Sequence, residues 1–189
     1  MIINKTKFLE FKQAKSPSNH DWYYVKRTND KKNLDSAVCI TTLIKNENDY
    51  DFLILKTKRP PIYAEDKAKY CIESPAGLIA DEKSDEKLTD CIKKELKEET
   101  GYVADEIFVE LTNASSSAGL TSETLTFVTA IINNSEIISK PVSDGGIIVD
   151  RLTIPSKEIN QFIENLDKKE YSVASAFVCG IYFALMRIK

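Results

Sequence analysis

Histidine is almost absent from this chain, with His20 alone, and the four cysteines Cys39, Cys71, Cys91 and Cys179 stand singly with no Cys-x-x-Cys pair. Zinc-binding spacing is thereby absent. There is no long hydrophobic run. The longest apolar stretch, near residues 174–186, is interrupted by Ser175 and Gly180 and falls short of the roughly 20 residues a membrane helix needs. It reads as a buried C-terminal helix, so no membrane partner is expected. The opening MIINKTKFLEFKQ lacks the apolar core and small-residue cleavage site of a secretion signal, which leads us to expect reduced thiols and a cytoplasmic protein. Positive charge is not in excess either: 26 Lys and Arg face 29 Asp and Glu, for a net charge of −3. A broad nucleic-acid footprint would need clustered basic residues to neutralise phosphates, and none is present.

What is present is an ordinary soluble composition, 42% hydrophobic and 29% charged over 189 residues, enough for one core-bearing domain. Residues 6–11 read as a short strand, 14–21 as a turn-rich loop and 22–27 (WYYVKR) as a second strand. Residues 37–44 (AVCITTLI) are rich in β-branched side chains and predict a buried strand, joined through a turn to another at 52–56. Arg59-Pro60-Pro61 ends that strand, because proline donates no ladder hydrogen bond. A loop is expected over 62–69, a strand over 70–73, a Pro75-Ala76-Gly77 turn, and a helix over 85–100 stopped by Gly101. Strands then follow at 108–111, 125–132 and 147–154, with a small-residue loop over 113–121 and helices over 155–166 and 172–188. This order predicts an α+β sandwich. Residues 1–35 read as a small N-terminal β-extension and 36–189 as the main domain.

The helix over 85–100 carries the chemistry. Each helical residue turns by roughly 100°, so Glu95 and Glu99 lie on nearly one line, flanked by Leu88, Cys91, Ile92 and Leu96. Two carboxylates therefore fall within the apolar stripe, with Glu98 at its edge. A solvated, salt-bridged helix face is the simpler reading of the segment KKELKEE, but the helical phase argues against it. Unpaired buried carboxylates cost several kcal/mol each and repel at four-residue spacing, and a bound cation offsets both terms. Oxygen ligands without a histidine or thiolate cluster point to Mg²⁺ or Mn²⁺, which in turn suits a diphosphate ligand.

Gly77, Glu86 and the run KELKEETG from Lys94 to Gly101 resemble the signature of the Nudix hydrolase family. Lys94 stands where that family has arginine, and the interval from Gly77 to Glu86 is three residues longer than its usual spacing. The resemblance extends to the ADP-ribose pyrophosphatase branch. It is carried by Arg59-Pro60-Pro61, by Tyr70 to Glu73 and Pro75 to Ile79, by Trp22 with Val25-Lys26-Arg27, and by Ser117-Ala118-Gly119-Leu120-Thr121. It implies an α/β/α sandwich with a mixed central sheet and Mg²⁺-dependent hydrolysis of ADP-ribose or a related nucleoside diphosphate sugar to AMP and a sugar phosphate. Implied metal ligands are Glu95, Glu98, Glu99 and the Ala76 carbonyl, with Glu86 a weaker candidate. Implied substrate contacts are Trp22 and Arg27 for adenine, Arg59 for the diphosphate, and Gly77, Gly119 and Leu120. The branch also implies a homodimer whose N-terminal strands are exchanged, with Trp22 and Arg27 acting across the interface.

The general base is the open point. Where the branch carries a glutamate, this chain has Gly146, which cannot take a proton. Glu98, Glu123 and Asp144 are the catalytic candidates. A Nudix hydrolase for another nucleoside diphosphate derivative and a nucleotide-sugar binding module with impaired catalysis both stand as alternatives.

Overall fold

The computed structural model describes residues 1–28, 36–47, 49–79, 87–133, 136–142 and 145–189. Its core starts from the β-branched run, which forms β4 (Ser36–Lys45), buried from Val38 to Ile44. Burial on both faces explains why this strand reads as continuously apolar rather than alternating. One edge of β4 pairs in parallel with β9 (Thr124–Ile132), in register from Ser36↔Thr124 to Ile44↔Ile132. Its other edge is shared: β5 (Tyr50–Thr57) pairs with residues 42–45, and the three-residue β7 (Ala76–Leu78) pairs with Ala37 to Cys39. The two strands therefore diverge at the middle of β4, and the Ala76-Gly77 segment is set into the gap.

Adding β6 (Tyr70–Glu73), β8 (Glu106–Ser115), β10 (Ile148–Pro155) and β11 (Tyr171–Val173) completes a mixed sheet of eight strands. Along its main path the order is β11-β6-β5-β4-β9-β8, with β10 on the free edge of β5. Helix α2 (Leu88–Thr100) covers one face through Cys91, Ile92 and Leu96, against Val38, Ile40, Leu53, Val128 and Ala130. The opposite face is covered by α3 (Ile159–Glu164) and α4 (Ser175–Arg187), whose Ile159, Phe177, Ile181 and Ala184 meet Leu43, Phe52, Ile54 and Ile72. Gly180 lets α4 sit directly on β4, since a methyl group there would overlap the Thr41 hydroxyl. Among the described residues no helix is long and apolar enough to cross a membrane.

A separate antiparallel sheet, β1 (Ile2–Lys5), β2 (Leu9–Lys15) and β3 (Asp21–Arg27), precedes this body. It docks on the loop before β9: the Val25 amide donates to the Leu120 carbonyl at 2.8 Å, and Val25 bridges to Thr121. The α+β architecture with a small N-terminal sheet is the expected one.

Several boundaries differ. Of the strand expected at 6–11, residues 6–8 form the turn between β1 and β2, closed by the Thr6 hydroxyl rather than by glycine or proline, and only residues 9–11 are strand. The predicted loop over 62–69 opens with a one-turn helix, α1 (Pro60–Ala64), for which Pro60 and Pro61 preset φ. The Pro-Ala-Gly turn is a strand where it meets β4. The strand at 108–111 continues to Ser115, bulged near Asn113, whose φ is +58°. The helix over 155–166 is a 3₁₀ turn, Ser156–Glu158, followed by α3. Ser172 and Val173, read as helix, belong to β11, which pairs in parallel with β6. The acid-bearing helix begins at Leu88, while Asp85 and Glu86 lie outside the described residues.

Candidate active site

Helix α2 runs over the Ala76-Gly77 segment with its last two turns. The helical phase is as expected: Glu99 is buried at 8% exposure, the Glu95 side chain is 15% exposed, and Glu98 is solvent-exposed. Gly101 ends the helix in the left-handed conformation, φ +83°, where its amide closes on the Lys97 carbonyl. The Ala76 amide donates to Glu99 Oε2 at 3.0 Å. Gly77 has a steric reason to lack a side chain, because a Cβ would collide with Glu95 Cγ and Cδ and lie 2.5 Å from Oε1. The glycine thus forms a cradle for one carboxylate while its neighbour's amide orients another. Lys94 flanks the pair, with Nζ 3.4 Å from Glu95 Oε1.

A cavity of about 640 Å³ opens beside these groups, lined by Glu95, Glu98, Glu99, Ala76, Gly77, Leu78 and Val142, and also by Arg27 and Arg59. Arg59 is held by β6: its Nε donates to Glu73 Oε1 at 2.7 Å, and the Thr57 hydroxyl donates to the same oxygen. Arg27, from the N-terminal sheet, pairs with Glu123. Three carboxylates and two guanidinium groups thus share one cleft within a single chain. Such a wall suits an anionic ligand: the arginines meet it directly, and the carboxylates tolerate it when a cation stands between.

The donor set supports that cation. All candidate ligands are oxygens, and the glycine cradle leaves room for Glu95 to turn toward the cavity. Among the described residues, no three His, Cys, Asp or Glu side chains already converge on one point. Oxygen donors of this kind fit a hard cation such as Mg²⁺.

Other expected residues lie elsewhere. Trp22 is half exposed and does not line the cavity; its indole Nε1 donates to the Gly119 carbonyl at 3.1 Å. Gly119 and Leu120 form the seat of β3, with the Leu120 side chain 60% exposed. Glu123 is paired with Arg27 and is not among the cavity-lining residues. Asp144 lies outside the described residues, and Gly146 adopts φ +89°. Sequence reasoning missed Glu73, Val142 and Arg151. Arg151 of β10 donates from Nε to the Glu99 carbonyl at 2.5 Å and from Nη2 to the Val142 carbonyl at 2.8 Å. Burial holds the Arg151 pKa below its ordinary value, with Glu99 and Asp150 opposing the shift. Of the thiols, Cys39 is pushed up to about 11 by burial, chiefly through desolvation, and so is a poor nucleophile.

A mixed sheet between helices, with an acid-bearing helix laid over a glycine turn, defines a Nudix-like α+β protein. No protein-family model matches the chain. Over 174 residues it is 29% identical to an uncharacterised Nudix hydrolase of Schizosaccharomyces pombe, covering 87% of this chain and 78% of that one. Over 196 residues it is 26% identical to an ADP-sugar pyrophosphatase of Mus musculus, covering 97% and 84%. A solved structure described as an ADP compounds hydrolase superposes with a TM-score of 0.63 at 15% identity, covering 99% of this chain and 90% of that one. The chain is thus similar in sequence to Nudix hydrolases and Nudix-like in fold.

Proposed function

We propose that the protein hydrolyses the diphosphate bond of ADP-ribose or a related ADP-sugar, yielding AMP and a sugar phosphate, in a Mg²⁺- or Mn²⁺-dependent reaction. The observation that carries this reading is the meeting of Arg27 and Arg59 with Glu95, Glu98 and Glu99 in one cavity of about 640 Å³. That volume is within the range of small-molecule sites. The names of the mouse relative and of the superposed structure point the same way for those proteins.

Arg59, braced by Glu73, donates to the diphosphate, and Arg27 exchanges its Glu123 partner for the ligand. Trp22 offers an indole face, half exposed beside Gly119, on which adenine stacks. Glu95, Glu98, Glu99 and the Ala76 carbonyl would hold the divalent cation. When bound, the cation neutralises phosphate charge and lowers the pKa of an attacking water. Glu98, exposed at the cavity wall, takes the proton from that water. The exposed Phe8, Phe11, Tyr23 and Leu120 on and beside the N-terminal sheet support a homodimer in which that sheet is shared. A cytoplasmic location goes with this reading, since it keeps the exposed Cys179 reduced.

Incubation with ADP-ribose and Mg²⁺ should release AMP and ribose 5-phosphate, and turnover no higher than that of a Glu99→Gln control would refute the proposal. A second reading, a nucleotide-sugar binding module with impaired catalysis, is favoured by the pairing of Glu123 with Arg27 and by Gly146 at the expected base position. Tight binding of ADP-ribose without hydrolysis would select it.

A further inference from the structure

A helix leaves its last carbonyls without partners inside the helix, and the last turn of α2 is the one that carries Glu98 and Glu99. Here those carbonyls are met from outside. The Val142 amide donates to the Glu98 carbonyl at 2.7 Å, and the Ile138 amide to the Gly101 carbonyl at 3.0 Å. Arg151 Nε donates to the Glu99 carbonyl at 2.5 Å, while its Nη2 donates to the Val142 carbonyl at 2.8 Å. Val142 and Arg151 therefore close a circuit around the helix end. Arg151 is itself fixed in β10, paired in register with Leu55 of β5 in the central sheet. Its positive charge also stands at the negative end of the helix dipole.

We propose that Arg151 is a positioning residue for the acid cluster: through the Glu99 and Val142 carbonyls it sets the last turn of α2 at the height over the Ala76-Gly77 segment where Glu95, Glu98 and Glu99 bind a divalent cation. The proposal rests on the metal site put forward under Proposed function. It assigns Arg151 no contact with the substrate. The guanidinium fork is essential to it, because one group must reach two carbonyls in different directions, whereas a lysine ammonium keeps the charge on a flexible stem without that fixed geometry.

The test compares the full-length wild type with Arg151→Gln, Arg151→Lys and Arg187→Gln. Arg187→Gln breaks a bidentate pair with Glu110, at 2.6 and 2.8 Å, and so destabilises without touching α2. Mn²⁺ binding without nucleotide is followed by calorimetry, Tm by circular dichroism, and kcat and KM with ADP-ribose at saturating metal. R151Q should weaken Mn²⁺ binding about tenfold or more and lower kcat with little change in KM. R151K should lie between R151Q and the wild type, and R187Q should lower Tm while leaving Mn²⁺ binding unchanged. If R151Q does not fold, R151K carries the comparison. Mn²⁺ binding by the folded Arg151 variants equal to that of the wild type overturns this inference alone, as does an equal loss in R187Q. A wild type that takes up no Mn²⁺ overturns the metal site and this inference together.

Discussion

Gly77→Ala isolates the contact that seats Glu95. A methyl group at this position falls inside van der Waals contact with Cγ and Cδ of Glu95 and 2.5 Å from Oε1. The obstructing atoms belong to a side chain rather than to backbone, so Glu95 can swing away at the cost of a strained rotamer and some repacking. That costs about 1–2 kcal/mol, which for a chain of this size lowers Tm by about 2–8 °C. Function should suffer far more than stability, since displacing a catalytic group by about 1 Å is worth roughly 10²-fold in rate. The assay is AMP release from ADP-ribose as a function of Mg²⁺ concentration. G77A should need about tenfold or more Mg²⁺ for half-activation and show a lower kcat. Gly77→Ala combined with Glu95→Ala supplies the cycle: removing the obstructing carboxylate should return Tm toward that of the Glu95→Ala single variant while activity stays lost. A G77A enzyme with wild-type Mg²⁺ response, or strictly additive Tm losses in the double variant, would refute the cradle.

Glu99→Gln should keep Tm close to the wild-type value, because the amide oxygen still accepts the Ala76 N–H, yet reduce turnover by roughly 10²-fold or more through loss of charge. In Arg59→Lys the bond to Glu73 and the planar fork are lost, so KM for ADP-ribose should rise about tenfold with kcat much less affected, in steady-state kinetics. Replacing Gly180 by Ala drives a methyl group into Thr41 on the face of the sheet away from the cavity, so thermal melts should show a loss of about 1–3 kcal/mol while kcat per folded molecule is unchanged. The Glu110 carboxyl is held below its ordinary value first by the hydrogen bonds from Arg187, with burial opposing the shift. A depressed carboxylate pKa stabilises above the unfolded value and loses that contribution as pH falls through the folded one. Tm of Glu110→Gln should therefore lie below wild type at neutral pH and converge with it below about pH 4, the lower edge of the ordinary carboxylate range.

The phase of α2 was fully legible in the chain. Helical geometry alone puts Glu95 and Glu99 on the line of Leu88, Cys91, Ile92 and Leu96, and Gly101 at a position that demands positive φ. The same holds for β4 and β9, whose length and β-branched content reflect burial on both faces. These features depend on contacts a few residues apart or on the intrinsic preference of a single residue. Local pattern did not separate β11 from α4, because a three-residue strand owes its existence to β6, about 100 residues earlier in the chain. Nor did it reveal that Glu123 is occupied by Arg27, that Trp22 rests on the Gly119 carbonyl, or that Arg151 closes the end of α2. Each of those pairs joins residues far apart in sequence, and an arginine or glutamate carries no local sign of its partner. The sequence by itself determined which carboxylates point inward, since that follows from helical periodicity. Only the tertiary structure decided which cations face them and what holds them in place, since those depend on how the sheet brings distant strands together.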